Sequence, residues 1–106
     1  MEKTCELSWS PRARRDLRCL DCHVPHFDER ALDELKDGIF QRVEFLKSFP
    51  KLGRPLRKMG DDWRQLVFRP FRIIYFVDNA SHTVFISRVW HASRAEPTEE
   101  DLIPLR

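Results

Sequence analysis

Basic side chains cluster in the second half of the chain, where they could hold the oxygens of a phosphate group. From residue 51 to residue 94, nine lysines and arginines stand against three acidic residues. Arginine binds phosphate through two parallel hydrogen bonds and keeps its charge at physiological pH. We therefore expect a basic surface that suits nucleic acid, the alternative being solvated charges that pair in part with acids of the tail. The residues expected on this surface are Lys51, Arg54, Arg57, Lys58, Arg64, Arg72, Arg88 and Arg94.

His91 ends an apolar, strand-like run, with Arg88 before it and Arg94 after it. A histidine can give or take a proton near neutral pH, so at this place it could protonate an oxygen that leaves a phosphate. The simpler alternative is a polar side chain that caps the end of a strand. Tyr75 alternates with apolar residues, which is typical of a core position, and we leave it out of the candidate site.

A compact motif of cysteines and histidines occurs nearer the start of the chain. Cys19, Cys22 and His23 have the spacing of covalent haem attachment, and His26 adds a fourth possible metal ligand. Haem attachment of that kind belongs to exported proteins, and cysteines also serve as small apolar fillers on helices. We therefore predict neither a metal nor a cofactor, with a zinc site as the alternative. The odd cysteine count and the lack of an export signal predict free thiols without a disulfide.

Hydrophobic periodicity predicts the elements that must position these residues. Alternation over 4–9 predicts a short strand, and helical spacing after Ser10 and after Asp28 predicts two helices that end before Pro25 and at Phe49. A following segment rich in glycine, proline and basic residues predicts a surface loop, and three β-branched and aromatic runs predict strands. The loop covers residues 51–60, and the strands cover 63–68, 72–78 and 83–91.

The predicted order β-α-α-β-β-β describes an α+β fold, with a helical hairpin packed on one face of a small antiparallel sheet. A length of 106 residues suits a single domain over 1–106, with an acidic tail from about residue 95. The sequence has neither a basic and apolar leader nor a long apolar run. We therefore expect a cytoplasmic protein that makes no contact with membranes.

Five short motifs in this order resemble the RelE/ParE superfamily of toxins from bacterial type II toxin–antitoxin modules. The resemblance extends from the first predicted strand to about residue 94, and its order of elements is the one predicted above. The motifs are Ser10-Pro11-Arg12-Ala13 with Asp16-Leu17, Phe49-Pro50-Lys51-Leu52-Gly53-Arg54-Pro55, Arg64-Gln65-Leu66, Phe71-Arg72-Ile73-Ile74-Tyr75 and Arg88-Val89-Trp90-His91-Ala92-Ser93-Arg94.

The resemblance implies a toxin that inhibits growth and is neutralised by a cognate antitoxin, whose C-terminal segment wraps the toxin and covers its basic face. It leaves two targets open. RelE-like members cleave messenger RNA in the ribosomal A site, whereas ParE-like members poison DNA gyrase and are not nucleases.

For the RelE-like alternative, the resemblance implies catalytic roles for three residues. Arg64 and Arg94 would stabilise charge on the phosphate oxygens, and His91 would protonate the leaving 5′-oxygen. The loop has arginine and proline where RelE-like sequences place paired lysines, and no tyrosine follows the last strand. These differences favour the ParE-like route slightly, with Lys51, Arg54, Arg57, Lys58, Arg72 and Arg88 binding a target or nucleic acid. A non-toxic nucleic-acid-binding domain is the third alternative.

Overall fold

A computed structural model describes residues 4–20, 28–103 and 105 of the chain. Within these residues, one strand is followed by two helices, four strands and a short third helix. A 3₁₀ turn, Phe45–Lys47, extends the second helix. The elements are β1 Glu6–Trp9, α1 Pro11–Arg18, α2 Glu29–Glu44, β2 Arg54–Leu56, β3 Gly60–Phe68, β4 Phe71–Asp78, β5 Thr83–His91 and α3 Glu99–Leu102.

The first two helices begin at the residues that the sequence predicts. The Ser10 hydroxyl accepts a hydrogen bond from the Ala13 amide, and Pro11 stands where a helix needs no amide donor. Asp28 caps α2 in the same way, through a 2.8 Å bond from the Ala31 amide to its carboxylate. Because these caps are local in sequence, they can be recognised before the fold is known. The first helix ends at Arg18, well before Pro25, and α2 ends at Glu44 rather than at the predicted Phe49. Residues 21–27 lie outside the described part.

The sheet has the order β1-β5-β4-β3-β2, and its three long strands form the predicted antiparallel meander. The α+β fold with helices packed on a sheet is confirmed. One edge differs from the prediction, because β1 runs parallel to β5. An alternating pattern predicts a strand but not its direction. The chain leaves β1 through two helices and a meander before β5 comes alongside it, and this path sets the parallel direction.

Each face of the sheet packs against a different part of the chain. On the helix side, Leu17 and Ile39 from the helices meet Ile73 and Ile86 from the strands, and Ile39, Ile73 and Ile86 are fully buried. On the opposite side, a smaller apolar cluster forms beneath the acidic tail. Its buried members are Trp63, Ile74, Trp90 and Leu102.

Two segments carry more regular structure than the sequence predicts. The basic loop 51–60 contains β2, which pairs with β3, and the acidic tail contains α3, whose Thr98 and Asp101 form a reciprocal capping box. Both are short, and both depend on contacts with distant parts of the sheet. Their sequences alone show only turn residues and charge.

The cysteine predictions have mixed outcomes. Cys5 is free, as expected, but Cys19 is disulfide-bonded, so the prediction of free thiols is wrong there. That prediction came from the cysteine count and the expected compartment, which say nothing of how close two sulfurs lie. Cys22, His23 and His26 lie outside the described residues. Within the part that is described, no group of three His, Cys, Asp or Glu side chains could hold a metal ion, and no helix is long and apolar enough to cross a membrane.

Candidate functional site

The turn between the 3₁₀ segment and β2, residues 49–54, is held against the sheet by two side chains. The Gly53 amide donates a 2.8 Å hydrogen bond to the Tyr75 hydroxyl. Arg64 donates through Nη1 to the Gly53 carbonyl at 2.8 Å and to the Lys51 carbonyl at 3.4 Å. Arg64 lies directly opposite Tyr75 in the β3–β4 register, so the two groups act on the turn from neighbouring strands.

Gly53 is buried at the point where this turn crosses β3. A Cβ atom added there would lie 2.5 Å from the carbonyl oxygen of Gln65 and 2.7 Å from the Tyr75 hydroxyl. Real side chains do not approach so closely, and the Gln65 oxygen belongs to the backbone. The turn therefore requires glycine for close approach to the sheet.

Four of the predicted binding residues lie on this turn and on β2 and its loop. All four are exposed, and none forms an ion pair with another residue in the described ranges. Their charges therefore face solvent and are available to a partner. They are Lys51, Arg54, Arg57 and Lys58.

Two other predicted binding residues are engaged within the protein. Arg88 bonds both carboxylate oxygens of Asp16, at 2.7 and 2.9 Å, and each side chain of the pair is at most 13% exposed. Arg72 donates to the side chains of Gln65 and Glu96, both at 3.1 Å. The guanidinium groups of Arg72 and Arg88, which the sequence predicts to be available for binding, are thus largely occupied by hydrogen bonds within the protein.

The strand arginines also stack on a tryptophan. Arg94 lies 3.7 Å from the centre of the Trp90 ring, and Arg88 lies 4.9 Å from it. Cations over an indole face are attracted by its quadrupole, so these contacts fix both side chains. Trp90 also donates through its indole nitrogen to the Ala95 carbonyl, which draws the start of the tail onto the sheet.

His91 ends β5 and packs edge-on against Phe71, with 5.2 Å between the ring centres. Its Nδ1 accepts a 3.1 Å hydrogen bond from the Ser93 amide. A backbone amide can only donate, so Nδ1 carries no proton, and the proton of the neutral ring lies on Nε2.

The three residues predicted to be catalytic do not share one face of the sheet. Arg64 lies opposite Tyr75, which belongs to the helix-side core, whereas Trp90 beneath Arg94 belongs to the opposite cluster. The structure groups Arg94 with Arg72 and Arg88 and places Arg64 at the 49–54 turn. Their catalytic and binding roles stay predictions.

Among the described residues, three ionisable groups have shifted pKa values. Burial raises the pKa of Tyr75, against smaller opposing effects of the Gly53 amide and the Arg64 charge. The hydrogen bonds that Arg88 donates to the Asp16 carboxylate raise the pKa of Arg88, which therefore stays fully charged. Hydrogen bonds from the Thr98 backbone lower the pKa of Asp101 in the tail. The shifts of Arg88 and Asp101 favour the charged forms that make the observed contacts, whereas the shift of Tyr75 reflects its burial.

Sequence reasoning missed a groove between β1, α1 and α2. Trp9 and Phe40 meet edge to face at 5.4 Å along it, and its volume is about 670 Å³. The sequence shows a run of arginines on the outward face of the first helix, which indicates a basic surface there. The apolar floor of the groove includes Phe40 of the second helix, so it can be recognised only once the two helices are placed side by side. The basic residues that line the groove are Arg14, Arg15, Arg18 and Lys36.

Residues 7–96 match the model of a family described as the ParE toxin of type II toxin–antitoxin systems, parDE. This chain belongs to the ParE toxin family. The match includes the 49–54 turn, the three long strands and the first two helices of this ParE-family toxin. The resemblance of its sequence motifs to the RelE/ParE superfamily is thereby confirmed. No curated protein sequence matches it.

Solved toxin structures share the fold of this ParE-family chain. The chromosomal ParDE system from P. aeruginosa matches with a TM-score of 0.69 and 19% identity, over 85% of this chain and 98% of that one. A mutant of the E. coli toxin RelE in the free state matches with a TM-score of 0.63 and 18% identity, over 85% of each chain. The RelBE2 toxin–antitoxin complex from Mycobacterium tuberculosis matches with a TM-score of 0.56 and 27% identity, over 83% of this chain and 98% of that one.

Proposed function

We propose that this ParE-family toxin stops bacterial growth by binding and inhibiting DNA gyrase. The observation that carries the proposal is the engagement of its strand arginines. Arg88 is bonded to Asp16, Arg72 to Glu96, and Arg64 to carbonyls of the 49–54 turn. A nuclease needs donors aimed at the scissile phosphate in advance, and these donors are directed at the protein itself. Inhibition by surface contact has no such requirement.

We further propose a cognate antitoxin as the partner of this toxin. Several similar structures are of toxin–antitoxin systems, among them ParDE and RelBE2. An antitoxin segment that is acidic and amphipathic would match the groove lined by Trp9 and Phe40, because its apolar side would meet the aromatic floor and its acids the cationic rim. We also propose that the toxin acts in the cytoplasm, where it would meet both gyrase and the antitoxin. Residues 1–106 are proposed to form one domain.

Ribosome-dependent cleavage of messenger RNA is the second candidate function. The position of His91 at the end of β5 is the observation in its favour. As a general acid the ring must be the imidazolium, so Nδ1 would have to gain a proton and lose the hydrogen bond that it accepts from the Ser93 amide. In this alternative, His91 would protonate the leaving oxygen, and Arg94 would have to leave the Trp90 ring to reach the phosphate. The similarity to RelE structures supports the common fold and leaves the reaction open.

Two assays with the purified toxin separate these functions. We expect inhibition of DNA supercoiling by gyrase, together with intact messenger RNA in a reconstituted translation reaction. Primer extension would detect new messenger ends that depend on ribosomes, and their appearance without gyrase inhibition would reject the proposal in favour of the RelE-like alternative. Absence of both effects would leave simple nucleic-acid binding, with an affinity that falls steeply as salt is added.

His91→Ala provides a test of catalysis in growing cells. We expect this variant to inhibit growth as strongly as the unaltered toxin, because gyrase binding requires no proton transfer. Colony counts after induced expression measure the effect, with protein levels checked by immunoblot. Loss of toxicity by a factor of 100 or more, about the effect of removing a general acid, would instead support the nuclease.

A further inference from the structure

Three large apolar side chains are exposed around the 49–54 turn. Phe45, Phe49 and Leu52 are 56%, 60% and 51% exposed. Consecutive backbone hydrogen bonds join them, from the Phe49 amide to the Phe45 carbonyl at 2.9 Å and from the Leu52 amide to the Phe49 carbonyl at 3.0 Å. They therefore follow one another on successive turns of the chain as an exposed apolar patch.

The backbone beneath this patch is held rigidly. Tyr75, which is completely buried, uses its hydroxyl to bind the Gly53 amide, and Arg64 binds the carbonyls on both sides of Leu52. A loop that only connected two elements would need neither a buried tyrosine nor a glycine packed against backbone. Fixing a loop in advance removes the entropy that binding would otherwise cost, which is a property of recognition surfaces.

We propose that Phe49 and Leu52 are the apolar centre of the surface with which this toxin docks on its protein target, and that Arg64 and Tyr75 are positioning residues for it. The proposal rests on the proposed function in naming the target as DNA gyrase. Protein interfaces typically have an apolar centre and a charged rim. Here Lys51 and Arg54 flank the centre, so the complementary surface on gyrase is apolar with an acidic rim.

Charge and side-chain chemistry favour this occupant over two others. A second copy of the chain would bring Lys51 and Arg54 against the same cations, and such like-charge contacts are unfavourable. Single-stranded nucleic acid would be bound by stacking on aromatic rings beside cations. Leu52, at the centre, has no ring on which a base can stack. A protein partner can contact both kinds of exposed group, with apolar side chains against Phe49 and Leu52 and acidic side chains against the neighbouring cations.

The test measures binding of purified DNA gyrase holoenzyme to immobilised toxin by surface plasmon resonance. We expect the Phe49→Ser/Leu52→Ser variant to lose affinity by about tenfold or more, the effect of removing an interface centre. Ile103→Ser is the matched control, because Ile103 is also an exposed apolar residue, at 42%, but follows α3, whose Leu102 packs on the opposite face of the sheet. We expect it to bind as the unaltered toxin does. Urea unfolding of every variant verifies that it is folded.

Tyr75→Phe tests the positioning role, since it removes only the hydroxyl beneath the turn. We expect a weaker affinity for gyrase through slower association, with Phe49 and Leu52 still present. Combining it with Phe49→Ser/Leu52→Ser should then add little further loss. If Tyr75→Phe lowers the affinity for gyrase by the same factor in the unaltered toxin and in the Phe49→Ser/Leu52→Ser variant, the hydroxyl does not act through this turn, and the positioning role is wrong.

The outcomes distinguish this inference from the function on which it rests. If the unaltered toxin binds gyrase and Phe49→Ser/Leu52→Ser binds equally well, the docking surface is elsewhere and the inference is wrong, while the proposed function stands. If the unaltered toxin does not bind gyrase, the proposed function fails. The affinity of the same variants for ribosomes then tests the docking surface. If only Phe49→Ser/Leu52→Ser binds ribosomes more weakly, the docking surface is retained with the ribosome as its target; if all variants bind equally, the docking surface is rejected. Turn-dependent binding of a single-stranded RNA oligonucleotide would also overturn the inference.

Discussion

Asp16 is an acidic residue, distant in sequence, that occupies an arginine which the sequence predicts to be available for binding. It lies in α1, 72 positions before Arg88, and accepts two hydrogen bonds from that guanidinium and one from the Val89 amide. The basic pattern around Arg88 was visible in the sequence, but its partner could be found only when α1 was packed on β5. Lys51 and Arg54, by contrast, are as exposed as the sequence predicts, because glycine and proline keep their segment at the surface.

Asp16→Ala should destabilise the fold strongly. Removing one partner of a largely buried pair leaves the other charge without compensation, which costs about 3 kcal/mol or more. Glu34→Ala is the matched control, because it breaks the exposed pair with Arg30, where both side chains are at least 71% exposed. It should change the free energy of unfolding by about 0.5 kcal/mol or less. Urea denaturation measures both, and equal losses would contradict a special role of Asp16.

Tyr75→Phe should alter the stability of the protein at alkaline pH. Burial raises the pKa of Tyr75, so the folded state keeps its proton more tightly than the unfolded state does. The associated stability is fully present below the ordinary tyrosine pKa of about 10 and is lost as pH rises through the folded value. Thermal melts from pH 8 to pH 11 should show a steeper alkaline loss for the unaltered protein than for Tyr75→Phe. If the melting temperatures of the two proteins fall in parallel with pH, the Tyr75 hydroxyl has the same pKa in the folded and unfolded states, contrary to this prediction.

The secondary elements differ in how far their own sequences determine them. Caps at Ser10 and Asp28 and the long apolar alternations of β4 and β5 are local signals, so the two helices begin, and the two strands form, where predicted. The short elements β2 and α3 depend on the sheet against which they lie, and a local pattern cannot reveal such support. The same distinction separates the exposed basic loop, which the sequence predicts, from the groove at Trp9, which requires two helices to be placed.

Gly53→Ala should loosen β2 from the sheet. The added Cβ would meet the Gln65 carbonyl and the Tyr75 hydroxyl, so the turn must move outward. Forced overpacking of this kind costs about 1–3 kcal/mol. Amide hydrogen exchange should increase in β2 and at Gln65 while β5 stays protected. Leu52→Ala controls for loss of a side chain in the same turn, and comparable exchange in both variants would argue against the close approach as the cause.

The tail helix α3 should detach in acid. Hydrogen bonds from Thr98 lower the pKa of Asp101, so this contribution to stability is complete above the ordinary aspartate pKa of about 3.9 and is lost as pH falls through the lower folded value. Trp63 and Trp90 pack with Leu102, and their fluorescence should shift to longer wavelength when the tail leaves. Asp101→Asn should remove this acid transition, and its persistence in that variant would assign it to another carboxylate.

At the scale of the whole molecule, charge is separated more than the net value of +2 suggests. Cations that form no ion pair with another described residue line the groove between the first two helices and the loop around β2. Acidic residues of the tail lie over the arginines of β4 and β5. Two positive surfaces thus remain available to partners, and one patch of arginines is neutralised internally. The composition alone could not distinguish these surfaces.

Salt should slow the proposed association of the toxin with gyrase more than it speeds dissociation. Exposed charges act mainly by steering the encounter, and their range shrinks to about 8 Å at physiological ionic strength. Between 50 and 300 mM salt we expect the association rate to fall several-fold and the dissociation rate to stay within about twofold. Arg57→Gln/Lys58→Gln should flatten this dependence. A salt effect confined to dissociation would mean that these cations are buried in the complex.

The pairing of the first strand with the last has a consequence for how the toxin is made in the cell. Ser10, which follows β1, donates a buried hydrogen bond to the carbonyl of Ser87, 77 positions later, and β1 has its sheet partner only in β5. A chain still being synthesised therefore cannot complete this sheet until β5 has been translated, because domains fold as units. The ribosome that makes the toxin holds an unfinished and inactive polypeptide for most of the synthesis. Growth inhibition begins only after the last strand has emerged, and any message cut before that point yields no folded toxin.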